Sequence, residues 1–199
     1  MSVPFILASG SSIRAQLLRN AAVDFVVNVP RIDEASIKQS LIAEQASPRD
    51  IADTLAETKA RRISNKSPGA LVLGNDQVLD FEGQLLSKPH TSQQAVDQLK
   101  SMRGKRHRLY SAAVICENGQ AIWRHVGRVT LYMRDISDAY LDGYVERNWP
   151  GISQAVGAYQ LEHEGVRLFS RIEGDYFNVL GMPLLEILSF LNVRGVTEQ

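Results

Sequence analysis

The stretch Leu7-Ala8-Ser9-Gly10-Ser11-Ser12-Ile13-Arg14 joins an apolar run to an amphipathic one. The residues before it predict a buried strand, and the apolar spacing from Ile13 to Ala21 predicts a helix. A Ser/Gly turn between a strand and a helix presents hydroxyls and unbonded N–H groups at the positive end of the helix, which suits an anion. Arg14 adds a planar fork of donors that matches phosphate oxygens. The stretch alone fits a phosphate cradle and an ordinary serine N-cap equally well.

Composition narrows the class of protein. The chain has 199 residues, is 44% apolar and carries 22 basic and 22 acidic residues, which allows one domain or two small lobes with a buried core. Zero net charge argues against a general polyanion binder, so DNA is not expected as a partner, but a local pocket for one phosphate chain remains open. Cys116 is the only cysteine, which fits a reducing compartment. No leader or membrane-spanning run is evident, so we expect a cytoplasmic protein with no membrane partner.

Two acidic segments are candidates for chemistry. The apolar run Ala70–Leu73 predicts a strand buried on both faces, which ends at Gly74-Asn75-Asp76-Gln77. Open α/β sheets place ligands at the carboxyl ends of their strands, so Asp76 is a functional candidate as well as a structural turn residue. Asp33 and Glu34 are predicted in a loop after a strand at Val23–Val29, as solvated acids or as a cation ligand or base.

The rest of the chain predicts an α/β protein with a mixed sheet, because strands and helices alternate early and a long hairpin follows. The basic stretch Arg103–Arg108 reads as a solvated loop rim or as a phosphate or RNA contact. The other predicted elements are a helix from Pro48 with Ser47 as N-cap, a hairpin over Val78–Leu86, a helix from Thr91 or Ser92 to Met102, a hairpin turning at Asn118-Gly119, a helix over Asp135–Arg147, a strand over Val166–Ile172, a turn at Gly174–Asn178 and a helix from Pro183.

The motifs together resemble one family. They are Leu7-Ala8-Ser9-x-Ser11 with Arg14, Asp33-Glu34, Leu55-Ala56-x-x-Lys59-Ala60, Gly74-x-Asp76, Lys88-Pro89, Gly104-x-x-His107, Gly157-Ala158-Tyr159 and Gly174-Asp175-Tyr176-x-Asn178-Val179-x-Gly181-x-Pro183. In this order and spacing they resemble the Maf/HAM1 superfamily, and more narrowly the Maf-like nucleoside triphosphate pyrophosphatases. Each motif is weak by itself, but the series covers Ile6 to Leu191, so we expect a single Maf-like domain over residues 1–199.

The resemblance implies a fold and a reaction. The fold would be a mixed, twisted sheet in an elongated, two-lobed, Maf/ITPase-like α/β domain with a central cleft. The reaction would hydrolyse a nucleoside triphosphate to the monophosphate and pyrophosphate with a divalent cation, Mg²⁺ or Mn²⁺, in a house-cleaning role. A homodimer, common in the family, is a further expectation. The implied active-site residues are Asp76 as proton acceptor with Glu34, Lys59 and Lys88, and Ser9, Ser11 and Arg14 would hold the phosphates.

The chemistry requires a set of this kind. Water must attack the α-phosphorus while pyrophosphate leaves, so cationic side chains, helix N–H groups and a metal ion must offset the charge of the phosphate chain. A carboxylate can deprotonate the water or hold the cation that lowers its pKa. Asp76 as base and Glu34 as metal ligand is one assignment; the reverse, or both carboxylates on one cation, fits the sequence equally well.

Three positions are implied to set the preferred base: Ile13, Gln77 and Glu162. The subgroup that prefers dTTP and UTP carries Arg, Thr and Gln there, and the 7-methyl-GTP subgroup carries Trp, Gln and Glu. Two of the three residues match the second set, and a glutamate can accept both N–H groups of the guanine edge. Ile13 cannot stack on a cationic base as Trp would. We therefore expect a guanine-type or broad preference, such as 7-methyl-GTP.

Two other classes of function fit the same residues less well. A nucleotide- or RNA-binding regulator of septum formation would use the site without turnover, yet it needs no carboxylates beside a phosphate chain. A sugar-nucleotide or phosphomonoester hydrolase would release a different product. Release of pyrophosphate distinguishes the expected enzyme from both.

Overall fold

The computed structural model describes residues 3–197, in which strands and helices alternate. Two 3₁₀ turns, Gly151–Gln154 and Glu164–Leu168, precede the last strand. The strands are β1 (Phe5–Ala8), β2 (Val26–Val27), β3 (Leu71–Phe81), β4 (Gln84–Leu86), β5 (Arg106–Glu117), β6 (Gln120–Met133) and β7 (Phe169–Glu173). The helices are α1 (Ser12–Asn20), α2 (Glu34–Ala43), α3 (Pro48–Ser64), α4 (Ser92–Met102), α5 (Asp138–Asn148), α6 (Tyr176–Val179) and α7 (Leu184–Val193).

The described strands form one mixed sheet in the order β2-β1-β3-β5-β6-β7, with β4 paired to β3 outside this path. Strand β1 runs parallel to both β2 and β3, whereas β4 runs antiparallel to β3 and β7 antiparallel to β6. The predicted mixed α/β class is confirmed. The β1–β3 register pairs Leu7 with Leu73 and Ala8 with Gly74, so the segments that follow Ala8 and Gly74 leave the two strands side by side.

The chain divides into two compact units. The first unit comprises the described residues up to Asp76, Ser111–Gly127 and the described residues from Gly181. Helix α3 packs on β1 and β3 through an apolar cluster of Ile6, Ala8, Ile63, Ala70 and Val72. A Cβ added at Gly74 would lie 2.2 Å from the backbone oxygen of Ala56 in α3. A glycine is therefore required at this position, because the backbones of β3 and α3 touch there.

The second unit comprises Gln77–Tyr110 and Arg128–Leu180. Helices α4 and α5 pack together, and Leu99, Leu131 and Tyr144 are fully buried. The imidazole Nε2 of His107 lies 2.8 Å from the hydroxyl of Tyr159 in the same interior. Burial lowers the pKa of His107 to about 4, so this imidazole is neutral at pH 7 and is part of the packed core.

Two predicted strands differ in extent. Strand β3 does not end at Gln77 but continues to Phe81, because its second half pairs with β4 from Leu79 to Phe81. Asp76 therefore lies inside a strand, and the expectation that it stands at a strand end is wrong. The predicted strand over Val23–Val29 is much shorter in the structure, because only Val26 and Val27 of β2 pair with β1. Both residues are exposed at the edge of the sheet.

Four further predictions are corrected. Glu34 is the first residue of α2 rather than a loop residue, because the Asp33 carboxylate accepts the N–H of Ser36 and caps the helix. Strand β5 begins at Arg106, so half of the predicted basic loop pairs in the sheet. Residues 166–168 form a 3₁₀ turn, and β7 begins only at Phe169. The turn predicted at Gly174–Asn178 contains α6, capped by Asp175.

The other helix and hairpin predictions are confirmed, except that the helix predicted from Asp135 begins at Asp138, with Ser137 as its N-cap. Ser47 caps α3 by accepting the N–H of Asp50 at 3.2 Å, with Pro48 at the first helical position. Thr91 caps α4 in the same way. In the part of the chain that is described, no helix has both the length and the apolarity needed to cross a bilayer.

Candidate active site

A buried ammonium group joins two carboxylates in the first unit. Lys59 Nζ donates to Asp76 Oδ1 at 2.7 Å and lies 3.0 Å from Glu34 Oε2. Lys59 and Asp76 are each only 7% exposed, whereas the Glu34 side chain keeps 54% of its surface in solvent. Burial raises the pKa of the Asp76 carboxyl above its ordinary value, and the positive charges of Lys59 and Arg14 oppose that rise. Asp76 is thus a buried carboxylate that accepts a proton more readily than a surface aspartate.

The fold explains how three distant sequence positions meet. The close approach of α3 to β3 at Gly74 brings Lys59, three residues after Ala56, to the strand that carries Asp76. Helix α2 packs on α3, and the Asp33 cap fixes where α2 begins, so Glu34 in its first turn reaches the same ammonium. A glycine, a helix cap and a helix pair therefore assemble this cluster of Glu34, Lys59 and Asp76, here named the acid–lysine cluster.

Arg14 extends the acid–lysine cluster toward the Ser/Gly turn. Its Nε donates to the carbonyl of Gly181 at 2.9 Å, and its Nη1 donates to the carbonyl of Asn75 at 3.1 Å and to Ser9 Oγ at 3.3 Å. Burial lowers the pKa of Arg14, and the negative charges of Asp76 and Glu34 oppose that shift. The guanidinium therefore interacts electrostatically with both carboxylates. These bonds use Nε and Nη1, so Nη2 is the edge left for a ligand.

The Ser/Gly turn leads from β1 into the N-terminus of α1. Ser9 is buried, and its Oγ accepts the backbone N–H of Ser11 at 3.2 Å as well as the Arg14 bond. Ser11 is the N-cap of α1, yet its side chain makes no capping hydrogen bond. The first-turn N–H groups of α1 have no intrahelical acceptor and are therefore donors for a bound anion. The structure thus brings Ser9, Ser11 and Arg14 together as the sequence predicts.

The remaining predicted residues divide between the two units. Ile13 is half-buried in α1 of the first unit, while Gln77, Lys88 and Glu162 belong to the second. Gln77 Nε2 donates to the carbonyls of Asn178 and Val179 at 2.9 and 3.0 Å. Lys88 is exposed beyond β4, and Glu162 is half-buried. No role of these residues follows from their positions alone.

One charged residue near Asp76 is absent from the sequence prediction. Lys38 lies one turn after Glu34 in α2 and is half-buried. Burial lowers the pKa of its ammonium group, and the charge of Asp76 opposes that shift, so the two groups interact electrostatically. The four-residue spacing between Glu34 and Lys38 places the two side chains on one face only if the segment is a helix. Lys38 could therefore be identified from the sequence only if α2 was recognised.

The carboxylates fit a hard divalent cation bound together with substrate. Among residues 3–197, no group of three or more His, Cys, Asp and Glu side chains could hold a metal by itself. Mg²⁺ is usually held by one or two carboxylates plus substrate phosphates and waters, not by an all-protein cage. Glu34 and Asp76 supply such a pair of oxygen donors. The donor set therefore fits Mg²⁺ or Mn²⁺ in the presence of a phosphate chain.

A protein-family model described as Maf-like protein matches residues 4–194, almost the whole chain. The chain belongs to the Maf family. Among curated relatives, proteins named nucleoside triphosphate pyrophosphatase come from Ruegeria pomeroyi (67% identical, covering 100% of both chains), Roseobacter denitrificans (65%, 98% of both) and Ruegeria sp. strain TM1040 (63%, 100% of both). A solved HAM1 protein from Coxiella burnetii aligns at 16% identity and a TM-score of 0.44, over 67% of this chain and 74% of that one.

Proposed function

We propose that this Maf-family protein hydrolyses nucleoside triphosphates with a guanine-type base, such as 7-methyl-GTP, to the monophosphate and pyrophosphate. The class of enzyme is nucleoside triphosphate pyrophosphatase, a hydrolase, as in its full-length relatives. One observation carries the chemical part of the proposal: two carboxylates share one buried ammonium beside a serine-lined helix N-terminus.

Asp76 is the proton acceptor in this proposal. Lys59 occupies Oδ1, so Oδ2 is the oxygen left to take a proton from the attacking water. A general base works best when its pKa lies near the working pH, and burial moves the pKa of Asp76 in that direction. Glu34 is more exposed and belongs to a helix start, which suits a metal ligand that must exchange waters. Of the alternative assignments, we therefore propose Asp76 as base and Glu34 as ligand.

Cationic groups offset the negative charge of the phosphate chain. The net charge of this group is +1, because it contains three cations (Arg14, Lys38 and Lys59) and two carboxylates (Glu34 and Asp76). This positive charge is smaller in magnitude than the negative charge of a triphosphate. A divalent cation held by Glu34 and the substrate phosphates would supply the missing positive charge and polarise the phosphate oxygens. The N–H groups at the start of α1 and Arg14 Nη2 hold phosphate oxygens, while Lys59 keeps the Asp76 carboxylate oriented. Lys88 is proposed as a further cationic contact to the phosphates.

The base preference rests on Gln77 and Glu162. A carboxylate accepts two N–H groups from the guanine edge, whereas uracil and thymine offer no such pair. The neighbouring acid Glu164 is already occupied, because Arg147 and Asn148 donate to its two oxygens. Glu162 makes no ion pair with any described residue, so of the two acids it is the one available to a base.

A product assay tests the proposal. Purified protein is incubated with GTP, 7-methyl-GTP, UTP or dTTP in Mg²⁺ or Mn²⁺, and the products are separated by chromatography. We expect nucleoside monophosphate and pyrophosphate, no activity in EDTA, and higher kcat/KM for the guanine nucleotides. Cleavage of dTTP and UTP alone would overturn the base preference. Release of orthophosphate, or binding without any product, would instead support the phosphomonoesterase or the regulator.

A further inference from the structure

A cleft in the second unit is lined by positively charged side chains. Its volume is about 370 Å³, and the described residues that line it are Arg134, Ile136, Tyr140 and Arg167. All four belong to the second unit, whereas the acid–lysine cluster belongs to the first. A cleft of this volume is within the range of small-molecule sites. Its described lining carries two positive charges and no carboxylate, which suits an anion.

The two arginines are held on neighbouring segments of the fold. Arg134 follows β6, and its backbone N–H donates to the carbonyl of Leu168 at 2.8 Å. Arg167 directly precedes Leu168, so this bond brings the backbones of both arginines together. The guanidinium of Arg167 lies 5.3 Å from the centre of the Tyr140 ring, a cation–π contact that restrains its position. Both arginines nevertheless stay exposed and accessible to a ligand.

Neither arginine forms an ion pair with a described residue, because the neighbouring carboxylates bind other cations. Glu164 shares a 3₁₀ turn with one of them, yet its Oε1 accepts from Arg147 at 2.6 Å. Asp135 follows the other in sequence, yet its carboxylate lies 4.0 Å from Nε of Arg103. The positive charge of the cleft is therefore not balanced within the described part of the chain.

We propose that this cleft binds the phosphate group of a small molecule, with the guanidinium groups of Arg134 and Arg167 on the phosphate oxygens. Each guanidinium presents paired N–H donors that match phosphate oxygens, and a phosphate dianion balances two positive charges. Two like charges that line one cleft repel each other, and an anion bound between them removes that repulsion. Ile136 offers an apolar contact for an organic part of the ligand. This second anion site does not depend on the proposed hydrolysis.

A site-resolved NMR titration tests the proposal. Phenyl phosphate is added in EDTA to isotope-labelled protein, and we expect saturable shifts of the Arg134 and Arg167 resonances. Arg134→Gln and Arg167→Gln should each weaken the affinity about tenfold or more, because each removes charge-assisted hydrogen bonds. Unchanged affinity in both variants would overturn the proposal.

Arg171→Gln is the matched control. The Arg171 guanidinium also lies over a tyrosine, 4.9 Å from the centre of the Tyr132 ring, but it pairs with Glu173, so its charge is already balanced. This variant should bind phenyl phosphate with native affinity. A loss equal to that of Arg167→Gln would mean that the anion follows only the overall positive charge, and the proposed site would fail.

Two further probes identify the ligand chemistry. Inorganic phosphate that binds as tightly as phenyl phosphate would identify free phosphate as the ligand, whereas tighter binding of phenyl phosphate would identify a phosphomonoester. Benzoate should bind more weakly than phenyl phosphate, because a carboxylate carries less charge than a phosphate dianion. Equal affinity for benzoate and phenyl phosphate would contradict a phosphate site.

A variant of the active site separates this proposal from the proposed function. Arg14→Gln removes a phosphate contact proposed for the active site and should leave the shifts at Arg134 and Arg167 unchanged. Loss of those shifts in Arg14→Gln would place the binding at the active site and overturn the second site. If the native protein releases no pyrophosphate, the proposed function fails, and the titration still decides whether the cleft binds phosphate.

Discussion

Two clusters built around carboxylates behave differently in this molecule. In the acid–lysine cluster, one buried ammonium serves two carboxylates, and burial raises the pKa of Asp76. In the second unit, Glu164 receives hydrogen bonds from Arg147, Asn148 and Tyr140, and these bonds, led by that of Arg147, lower its pKa to about 2. The Asp76 carboxylate receives fewer hydrogen bonds than its oxygens can accept, whereas both oxygens of Glu164 are fully hydrogen-bonded.

The difference separates a reactive group from a structural one. A carboxylate that has all its hydrogen bonds made and stays near solvent is a poor base, because its charged form is already favoured. A buried carboxylate with one lysine contact retains both a lone oxygen and a tendency to accept a proton. Counts of charged residues in the sequence cannot make this distinction, since both clusters contain acids and bases at unremarkable spacings.

The largest expected effect comes from removing the charge of Asp76. Asp76→Asn should lower kcat by about a hundredfold or more, because the amide cannot accept the proton of water. The thermal unfolding temperature should stay within a few degrees, since burial of the ionised form already opposes folding. Glu164→Gln is the matched control and should retain native kcat. Equal losses in both variants would remove the distinction between the clusters.

A smaller effect is expected on stability when the cations are removed. Lys59→Met removes the ammonium that contacts both carboxylates and should lower the free energy of unfolding by about 3 kcal/mol, together with most of the activity. Arg147→Met removes an exposed cation and should change the unfolding midpoint in urea only slightly. Urea titrations of the two variants make the comparison. A larger loss in Arg147→Met would mean that the exposed cluster is the more stabilising one.

The smallest effect is a pH dependence confined to acid. The folded-state pKa of Glu164, about 2, is below the ordinary glutamate value of 4.5, so its charged form stabilises the fold above pH 4.5. That contribution is lost as pH falls from 4.5 toward 2. Glu164→Gln should therefore show a flatter loss of unfolding free energy over this interval, measured by denaturant titration at successive pH values. Parallel curves for the two proteins would contradict the assignment.

Part of the candidate site was predictable from the sequence. Local sequence patterns predict the strand, turn and helix around Ser9, and they also predict the start of the helix that carries Lys59 at Ser47–Pro48. The structure confirms both elements. Helix α2 was missed because Asp33 and Glu34 resemble a polar loop and Val26–Val27 precede them as a very short strand. Without α2, neither the reach of Glu34 nor the proximity of Lys38 to Asp76 can be inferred.

The sequence by itself determined the α/β class, most helix starts and the residue types available for phosphate chemistry, because caps, turns and apolar periodicity act over a few residues. Only the tertiary structure decided that Lys59 lies between Glu34 and Asp76, that Asp76 is buried inside a strand rather than at its end, and that both oxygens of Glu164 accept hydrogen bonds. Those outcomes depend on contacts between distant segments, such as the backbone approach at Gly74, whose energies no local pattern contains.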